Sequence, residues 1–359
     1  MTATHADRCA RLRTDTTALE VDALLVTRLV NVRYLTGFTG SHAALLLLAD
    51  TAVLATDGRY DTQAREQAPD VDLVIERDLA RVLADRAVAA GAKRIAFEEH
   101  DTTVAAYDGL SSVADGAELV RMGQPVEALR AVKDETEIAT LARACHIADA
   151  AFALLLDGDL RAGRTERQIA HALEQHMREL GASGPSFDTI VASGPNSAIP
   201  HHQPTDREVQ VGDFVKCDFG ALVDGYHSDI TRTVVVGTAA GWQREVYAVV
   251  AAAQQAGRDA ARPGATCRDV DARAREIIEA SEYAGRFVHP LGHGVGLEIH
   301  ERPTLAPTAT DSIAERMPVT VEPGVYLPGQ GGVRIEDTLV VRPDGPELLT
   351  ATTRELLEV

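Results

Sequence analysis

The chain has 359 residues, of which 45% are hydrophobic and 25% charged, and at roughly 100–200 residues per domain this globular composition predicts two domains. Acidic residues outnumber basic ones, 54 to 35, giving a net charge of −19. Such an acidic surface would repel phosphate backbones and anionic lipids, which argues against nucleic acid or a membrane surface as a partner.

The sequence indicates neither a membrane segment nor a secretory signal. Apolar runs such as Ala43 to Ala49 are far shorter than the roughly 20 residues that a bilayer helix needs. The N-terminal residues (MTATHADRCA) are polar and lack the apolar centre of a signal peptide. The four cysteines are widely scattered and never form a CxxC pair, which favours reduced thiols in a cytoplasmic protein.

The first part of the chain alternates predicted strands and helices. Ala43 to Leu48 and Thr51 to Thr56 read as two strands joined by a tight turn. Two more strand-like runs, Val71 to Glu76 and Arg94 to Glu99, are separated by an alanine-rich helical piece. We therefore expect a small α/β domain over residues 1–125, which ends where the segment RMGQP breaks the pattern.

A pair of helices and a group of strands follow this boundary. Apolar residues recur at steps of three and four from Ile138 to Leu155, which predicts one long amphipathic helix. A second helix is expected to begin at Thr165, which forms a capping-box pattern with Gln168, and to end at Gly181. Strand-like sequence follows from Phe187 to Val236.

The same order then repeats. A predicted helix from about Trp242 to Ala261 precedes a second one that begins at Thr266, and strand-like sequence runs from Phe287 to Val341. Two copies of helix, helix and strands, about 100 residues apart, predict an internally duplicated α+β domain over residues 126–359. Its sheet and helices are expected to lie in separate layers.

Four acidic residues of this second domain form two pairs around turns. Asp218 and Asp229 lie eleven residues apart with a turn at Asp224-Gly225 between them, so they can face each other on a hairpin. Glu322 and Glu336 lie fourteen apart around the turn PGQGG. Facing like charges destabilise a sheet, and carboxylates are seldom buried unless they are paired or bind a metal. A cation between them is therefore expected, and four solvent-exposed acids are the alternative.

Strand alternation assigns the neighbours of these acids to faces. Lys216 and Asp218 share one face of their strand, and Cys217 points to the other. Cys217 is therefore predicted to be a core residue rather than a metal ligand. By the same alternation, Arg334 shares the face of Glu336.

Histidines add to the acidic set. Six of the twelve fall within a hundred residues: His201, His202, His227, His289, His293 and His300. The glycine-flanked segment PLGHGVG would let His293 approach an ion closely. One imidazole among oxygen ligands suits a pair of Mn²⁺-like ions better than a thiolate zinc site. The candidate ligands are Asp218, Asp229, His293, Glu322 and Glu336.

These motifs resemble those of the pita-bread metallopeptidases, specifically the Xaa-Pro branch that contains prolidase and aminopeptidase P. Four blocks carry the resemblance: DFGALVDGYHSDITRT, PLGHGVGLEIH, TVEPGVY and GVRIED. NVRYLTGFTGSHAALLL and ATDGRYDTQA resemble the family's N-terminal domain. The resemblance implies a creatinase-like domain over residues 1–125 and a duplicated pita-bread catalytic domain over 126–359, in which an antiparallel sheet is layered with helices. The interval between Glu322 and Glu336 is short for the family, which bears on one wall of the site.

The resemblance also implies a dinuclear site and its chemistry. The five candidate ligands would hold two divalent ions, Mn²⁺ ahead of Co²⁺ or Zn²⁺, and a hydroxide bridging them would attack the carbonyl carbon before proline. His201 or His300 would stabilise the oxyanion, and Glu322 would carry a proton to the leaving nitrogen. Arg334 would orient a ligand carboxylate or bind the substrate carboxylate, two roles that the sequence does not separate.

We therefore expect a cytoplasmic Xaa-Pro dipeptidase that acts on short proline-containing peptides. A strict dipeptidase must bind the carboxylate after proline, for which the sequence offers Arg302, Arg316 and Arg334. The alternatives are an aminopeptidase P that cleaves longer Xaa-Pro-Yaa peptides and a non-catalytic binding protein on the same fold. The resemblance further implies a homodimer in which the first domain helps to cover the neighbour's active site.

The duplication predicts symmetry at the site. IPHHQPT aligns with EIHERPT, which places His201 over His300, and Asp218 aligns with Glu322. A pseudo-two-fold axis is expected to pass near the metal pair, with His201 and His300 approaching it from opposite sides in unequal roles. The alternative is that both histidines merely pack near the site.

Overall fold

The computed structural model describes residues 3–114 and 116–359. The chain folds into two compact units, the first reaching Arg130 and the second spanning Ala131–Val359. The boundary predicted at residue 125 lies just before this division, because Pro125 begins a helix whose first six residues belong to the first unit.

The first unit contains one mixed six-stranded sheet, in the order β4-β3-β2-β1-β5-β6. Strand β2 pairs antiparallel with both β1 and β3, and the remaining neighbours are parallel. The predicted first hairpin and the two later strands are confirmed. In chain order the elements are α1 Ala3–Asp15, β1 Ala23–Val26, α2 Leu29–Thr36, β2 Ala43–Leu47, β3 Ala52–Thr56, α3 Asp61–Gln67, β4 Asp72–Ile75, α4 Leu79–Ala89, β5 Arg94–Phe97, α5 Val104–Val113, β6 Glu118–Arg121 and α6 Pro125–Ala131.

The second unit repeats an order of two helices followed by strands, as predicted. Its named strands pair antiparallel throughout. In chain order the elements are α7 Glu135–Leu154, α8 Glu166–Glu179, β7 Gly184–Pro185, β8 Ile190–Ser193, β9 Phe214–Phe219, β10 Ala221–Val223, β11 Tyr226–His227, β12 Ile230–Val235, α9 Gly241–Ala260, α10 Cys267–Glu279, β13 Gly292–Gly294, β14 Glu301–Leu305, β15 Pro318–Val321, β16 Gly324–Leu327, β17 Gly331–Arg334, β18 Asp337–Val340 and β19 Glu347–Leu348.

Caps at the helix starts explain where these helices begin. Thr165 and Gln168 form the predicted capping box, in which each side chain accepts a hydrogen bond from the other's backbone N–H. Gly181 follows α8 with a φ of +105°, a conformation that glycine adopts at low cost. Thr266 caps α10 by accepting the backbone N–H of Asp269 at 3.1 Å.

Each half of the second unit has its own apolar core. Helices α7 and α8 pack on one group of strands through residues such as Phe152, Leu173 and Phe219. Helices α9 and α10 pack on the other group through residues such as Val250 and Ile278. The strands therefore bury their apolar residues against helices, which leaves the acidic residues at strand junctions to form a separate polar cluster.

One helical stretch, Glu135–Asp159, is long and apolar enough to cross a membrane by length and composition alone. It is the exception to the sequence prediction of no membrane-spanning segment. Half of its apolar window is buried inside the fold, where Leu141, Cys145 and Phe152 are fully covered. Because the core helix of a folded domain meets the same criterion, this stretch does not by itself indicate a membrane span.

Candidate active site

Asp218 and Asp229 lie near the junction of two antiparallel ladders. Strand β9 pairs with β12, and the chain between them forms the short β10–β11 hairpin with the predicted turn at Asp224-Gly225. Both turn residues have positive φ, 47° and 77°, as a two-residue type I′ turn requires. The register places Asp218 opposite Thr231. Asp218 and Asp229 are therefore diagonal neighbours, and the prediction that they face each other directly is wrong, because the short turn fixes the register.

Glycine makes this junction possible. The registers on either side place Asp229 opposite Gly220. A Cβ atom at Gly220 would lie 1.8 Å from the carbonyl oxygen of Ser228. The two strands can approach this closely only without a side chain at Gly220.

Glu322 and Glu336 occupy the equivalent junction in the other half. The chain passes from β15 to β16 and returns through β17 and β18, with Val321 opposite Asp337 and Gly324 opposite Arg334. These registers place Glu322 directly opposite Glu336, which confirms the predicted facing pair.

The structure brings the predicted ligands together around His293. Its Nε2 lies 3.6 Å from Asp229 Oδ2 and 3.5 Å from Glu322 Oε1. Ligand atoms of Asp229, His293 and Glu336 all lie within 4.8 Å of one another. Asp218 joins the cluster through Arg334, whose Nη2 pairs with Asp218 Oδ2 and whose Nε lies 3.9 Å from Glu322 Oε2.

Two buried oxygens in this cluster lack hydrogen-bond partners among the described residues: Asp229 Oδ1 and Glu336 Oε1. Burial first, and then the neighbouring carboxylates, raise the pKa values of Asp229 and Glu336 well above their ordinary range. Burial likewise raises the pKa of Glu322 to about 8. Buried acids without a counter-charge are costly, and a cation that accepts lone pairs from both oxygens would remove the cost. The cluster thus fits hard divalent ions.

The protonation of His293 also suits a ligand. Burial lowers the pKa of His293 to about 4, so its imidazole is neutral near pH 7. Its Nδ1 lies 3.0 Å from the carbonyl oxygen of Gly294, which can only accept a hydrogen bond. The proton is therefore on Nδ1, and Nε2 presents its lone pair to the carboxylates.

Arg334 is buried, with 2% of its surface exposed, and its donors are taken by neighbours. Besides the Asp218 pair, Nε donates to Thr231 Oγ1 at 3.1 Å. Nη1 donates to Tyr326 OH at 2.9 Å and to the carbonyl of Pro200 at 3.1 Å. Of the two roles left open by the sequence, these contacts match the orientation of a ligand carboxylate.

Three further residues at the site were missed in the sequence. Thr231 Oγ1 donates to Glu336 Oε2 at 2.6 Å, and Thr320 Oγ1 accepts the backbone N–H of His293 at 3.0 Å. Strand alternation contains a signal for both, since each threonine lies two residues from a predicted ligand. Tyr326, which contacts Arg334, has no such signal.

His201 and His300 are both exposed. The ring centroids of His300 and His293 are 4.4 Å apart. Partial burial and then the neighbouring His201 lower the pKa of His300, and Asp218 opposes them. Imidazoles in this position can reach a substrate held against the carboxylates.

The other three clustered histidines have separate surroundings. His202 is buried, with Nε2 2.9 Å from Glu166 Oε2, and His227 Nδ1 lies 3.0 Å from Ser186 Oγ. His289 Nε2 lies 2.8 Å from Tyr326 OH, which connects it to the site through Tyr326. Spacing in the sequence could not separate these cases.

The predicted faces of Cys217 and Lys216 on strand β9 are confirmed. Arg302 and Arg316, the other two arginines considered for the substrate carboxylate, lie away from the acidic cluster. Cys217 is fully buried in the core, where burial raises its thiol pKa to about 12, and Lys216 is buried on the face of Asp218. Among the described contacts, Arg302 pairs with Asp311 at 2.8 Å and the charge of Arg316 acts on Glu135. Neither arginine contacts the cluster in the part of the chain that the structure describes.

The chain is similar to known peptidases over most of its length. The model of metallopeptidase family M24 matches residues 139–343, and that of the creatinase/prolidase N-terminal domain matches residues 8–132. An uncharacterized peptidase, YqhT, of Bacillus subtilis (strain 168) is 42% identical over 340 residues, covering 94% of this chain and 96% of its own.

Two solved structures show the same architecture over nearly their full lengths. The Xaa-Pro dipeptidase from Bacillus anthracis is 39% identical, with a TM-score of 0.95, and the match covers 99% of this chain and 100% of that one. The X-Pro aminopeptidase from Thermotoga maritima MSB8 is 36% identical, with a TM-score of 0.90 and coverage of 98% and 99%. The two-domain α+β architecture expected from the sequence is confirmed.

Proposed function

The chain belongs to metallopeptidase family M24, on its Xaa-Pro branch, and from this premise we propose that it hydrolyses the Xaa-Pro bond of short peptides, with Xaa-Pro dipeptides as its main substrates. The observation that carries the proposal is the convergence of four acidic residues and one neutral imidazole beside two exposed histidines. Relatives named Xaa-Pro dipeptidase support the choice of substrate.

Two divalent ions would be held by Asp218, Asp229, His293, Glu322 and Glu336. Oxygen ligands favour Mn²⁺ as the native ion, with Co²⁺ and Zn²⁺ as alternatives. When bound, the ions supply an activated water as nucleophile and Lewis-acid polarisation of the scissile carbonyl. The unpartnered oxygens of Asp229 and Glu336 support this assignment.

Among these acids, Glu322 is suited to move the proton. Its side chain is 18% exposed, compared with 7% for Asp229, so it is more accessible to a substrate. Its carboxylate would take a proton from the attacking water and pass it to the leaving proline nitrogen. The leaving nitrogen must receive a proton as the bond breaks, because an amide anion is too basic to be expelled in water.

His201 and His300 bind the substrate from the exposed side of the cluster. One imidazole would donate a hydrogen bond to the scissile carbonyl oxygen as negative charge develops there, and the other would contact the proline side. Arg334 acts on the substrate only indirectly, by orienting Asp218.

A second candidate function is the cleavage of longer Xaa-Pro-Yaa peptides, as in aminopeptidase P. The contacts of two arginines favour it. Arg334 is already occupied by Asp218 and Tyr326, and Arg302 pairs with Asp311. Both guanidinium groups are therefore engaged by protein side chains rather than reserved for the carboxylate of proline in a dipeptide. The X-Pro aminopeptidase among the structural relatives supports this alternative.

The test compares Ala-Pro, Ala-Pro-Ala and Ala-Ala as substrates of the Mn²⁺-loaded protein. A higher kcat/KM for Ala-Pro than for Ala-Pro-Ala supports the dipeptidase, and the reverse order supports the aminopeptidase. Turnover of Ala-Ala alone would overturn the Xaa-Pro assignment.

We also propose a cytoplasmic homodimer in which the first domain of one chain helps to cover the neighbour's active site. The family resemblance motivates the dimer, and the four free, buried cysteines support the location. A fully active monomer in light scattering would contradict the dimer.

A further inference from the structure

The segment between β8 and β9 carries His201 and is hydrogen-bonded on both sides of it. One anchor is Glu166, a fully buried residue at the start of α8 that contacts the chain both before and after His201. Glu166 Oε1 accepts the backbone N–H of Ser193 at 2.7 Å, and Oε2 accepts Thr205 Oγ1 at 2.6 Å and contacts His202 Nε2 at 2.9 Å. These bonds fix the chain on both sides of His201.

The backbone just before His201 is held by Lys216. Lys216 Nζ donates to the carbonyl oxygens of Ser197 at 3.3 Å, Ile199 at 2.6 Å and Pro200 at 3.2 Å. The side chain is fully buried, and Nζ lies 5.1 Å from the centroid of the Tyr326 ring. The hydrogen bonds from this buried lysine to three carbonyls therefore stabilise the conformation of that segment.

Lys216 joins this segment to a predicted metal ligand. It lies on strand β9 two residues before Asp218, on the same face. Pro200 O also accepts from Arg334, which pairs with Asp218. The backbone just before His201 is thus hydrogen-bonded to Lys216 and Arg334, which both lie beside the carboxylate of Asp218.

We propose that Lys216 is a positioning residue that fixes His201 relative to Asp218, so that the imidazole meets the substrate in a reactive geometry. The proposal rests on the function proposed above for this site. No step of that reaction requires contact between Lys216 and the substrate.

Substitution by methionine isolates the role of the amino group. Methionine is also long and unbranched, so Lys216→Met retains most of the packing and removes the donors to three carbonyls. The segment before His201 then loses these hydrogen bonds and should open more often, because carbonyls without a protein donor form hydrogen bonds with water instead. Lys93→Met is the control, because Lys93 is exposed and lies in the first unit.

The first measurement is hydrogen–deuterium exchange of the metal-free protein, which needs no activity. In Lys216→Met, peptides covering residues 194–205 should exchange at least about tenfold faster, and those covering 292–301 should be unchanged. Lys93→Met should match the parent in both regions. Unchanged exchange over residues 194–205 in Lys216→Met would overturn the proposal.

The second measurement is a double-mutant cycle on kcat with Mn²⁺ and Ala-Pro. Lys216→Met should lower kcat by about 10²-fold, the cost of a misplaced catalytic group. In a His201→Ala background the same substitution should cost less than about threefold, because a residue that acts through His201 has little left to lose. Equal losses in both backgrounds would show a general structural role and overturn the proposal.

A third variant protects the test against misfolding. If Lys216→Met does not fold, Lys216→Gln replaces it, since the amide keeps N–H donors, and smaller changes in the same directions are expected. A folded Gln variant with unaltered exchange and additive kinetics would contradict the proposal. If the parent protein does not hydrolyse Ala-Pro, the proposed function fails, and the exchange measurement alone decides whether Lys216 holds the segment.

Discussion

Asp229 and Glu336 each bury a carboxylate oxygen that has no hydrogen-bond partner in the described part of the chain, close to a neutral imidazole. Packing forces do not account for such a cluster, since burial alone would keep these acids protonated. A bound cation accounts for both the placement of the acids and the lone pair that His293 presents.

Removing one carboxylate should therefore abolish function without unfolding the protein. Asp229→Ala or Glu336→Ala is expected to lose bound metal and peptidase activity together, because the cation loses a ligand while the remaining acids repel one another less. Metal content by mass spectrometry, activity and circular dichroism check this expectation.

Glu276→Ala is a suitable control, because Glu276 is exposed on α10. It should retain metal and activity. Full activity with two bound ions in either cluster variant would contradict the ligand assignment.

The two exposed histidines should matter to turnover and leave metal binding intact. His201→Ala and His300→Ala are each expected to lower kcat by at least ~10²-fold with metal content unchanged, as for groups that act as acids, bases or oxyanion donors. Near-normal turnover in both variants would indicate that these histidines only pack near the site.

At the scale of elements, the sequence predicted the turns better than the register. The dipeptide Asp224-Gly225 and the segment PGQGG correctly marked the two turns, and Glu322 does face Glu336. The diagonal placement of Asp218 and Asp229 was not predicted, because counting residues to a turn does not reveal which residues pair across it. The contacts of Lys216, Arg334 and Tyr326 also depend on packing between distant segments.

The junction at Gly220 gives a prediction for the hairpin. Gly220→Ala should destabilise the protein by about 3 kcal/mol and weaken metal binding, because the new Cβ would clash with the backbone of Ser228 and displace Asp229. Chemical denaturation and metal titration measure the two effects.

Gly241→Ala provides the comparison, since Gly241 has open space around its Cβ position and lies at the start of α9. It should be close to neutral. A Gly220→Ala variant as stable as Gly241→Ala would show that the strands do not need this close approach.

At the scale of the whole molecule, the sequence predicted the duplicated order of helices and strands because helix caps and periodic apolar residues are local signals. The helices that begin at Thr165 and Thr266 were placed correctly for this reason. The division between the two units after Arg130 depends on tertiary packing, which a single sequence encodes only weakly.

The buried acids should also shape stability against pH in the metal-free protein. The pKa of Glu322 rises from 4.5 to about 8, and those of Asp229 and Glu336 are raised as well, so the folded state binds protons more tightly than the unfolded state. Their stabilisation is complete below the unfolded pKa values and is lost as pH rises towards 8. The lowered pKa of His293, about 4 instead of 6.5, opposes this trend only between those two values. Burial lowers the pKa of Lys216 well below 10.5, which also opposes the trend, but as one group against three acids.

The free energy of unfolding is therefore expected to fall between pH 6.5 and 8 when a chelator is present. Urea denaturation at several pH values measures it. Glu322→Gln should flatten the decline, and the exposed-site variant Glu276→Gln should not. A stability that is constant or rises over this range would contradict the raised pKa values.

The most direct test of the account is a Mn²⁺ titration of metal-stripped protein, with proline release from Ala-Pro followed alongside bound metal. Activity should be absent at first, rise with occupancy and saturate at about two ions per chain, as expected for a two-metal site. Undiminished Ala-Pro hydrolysis by the stripped protein, or no hydrolysis at full occupancy, would contradict the conclusion that this cluster is a metal-dependent Xaa-Pro peptidase site.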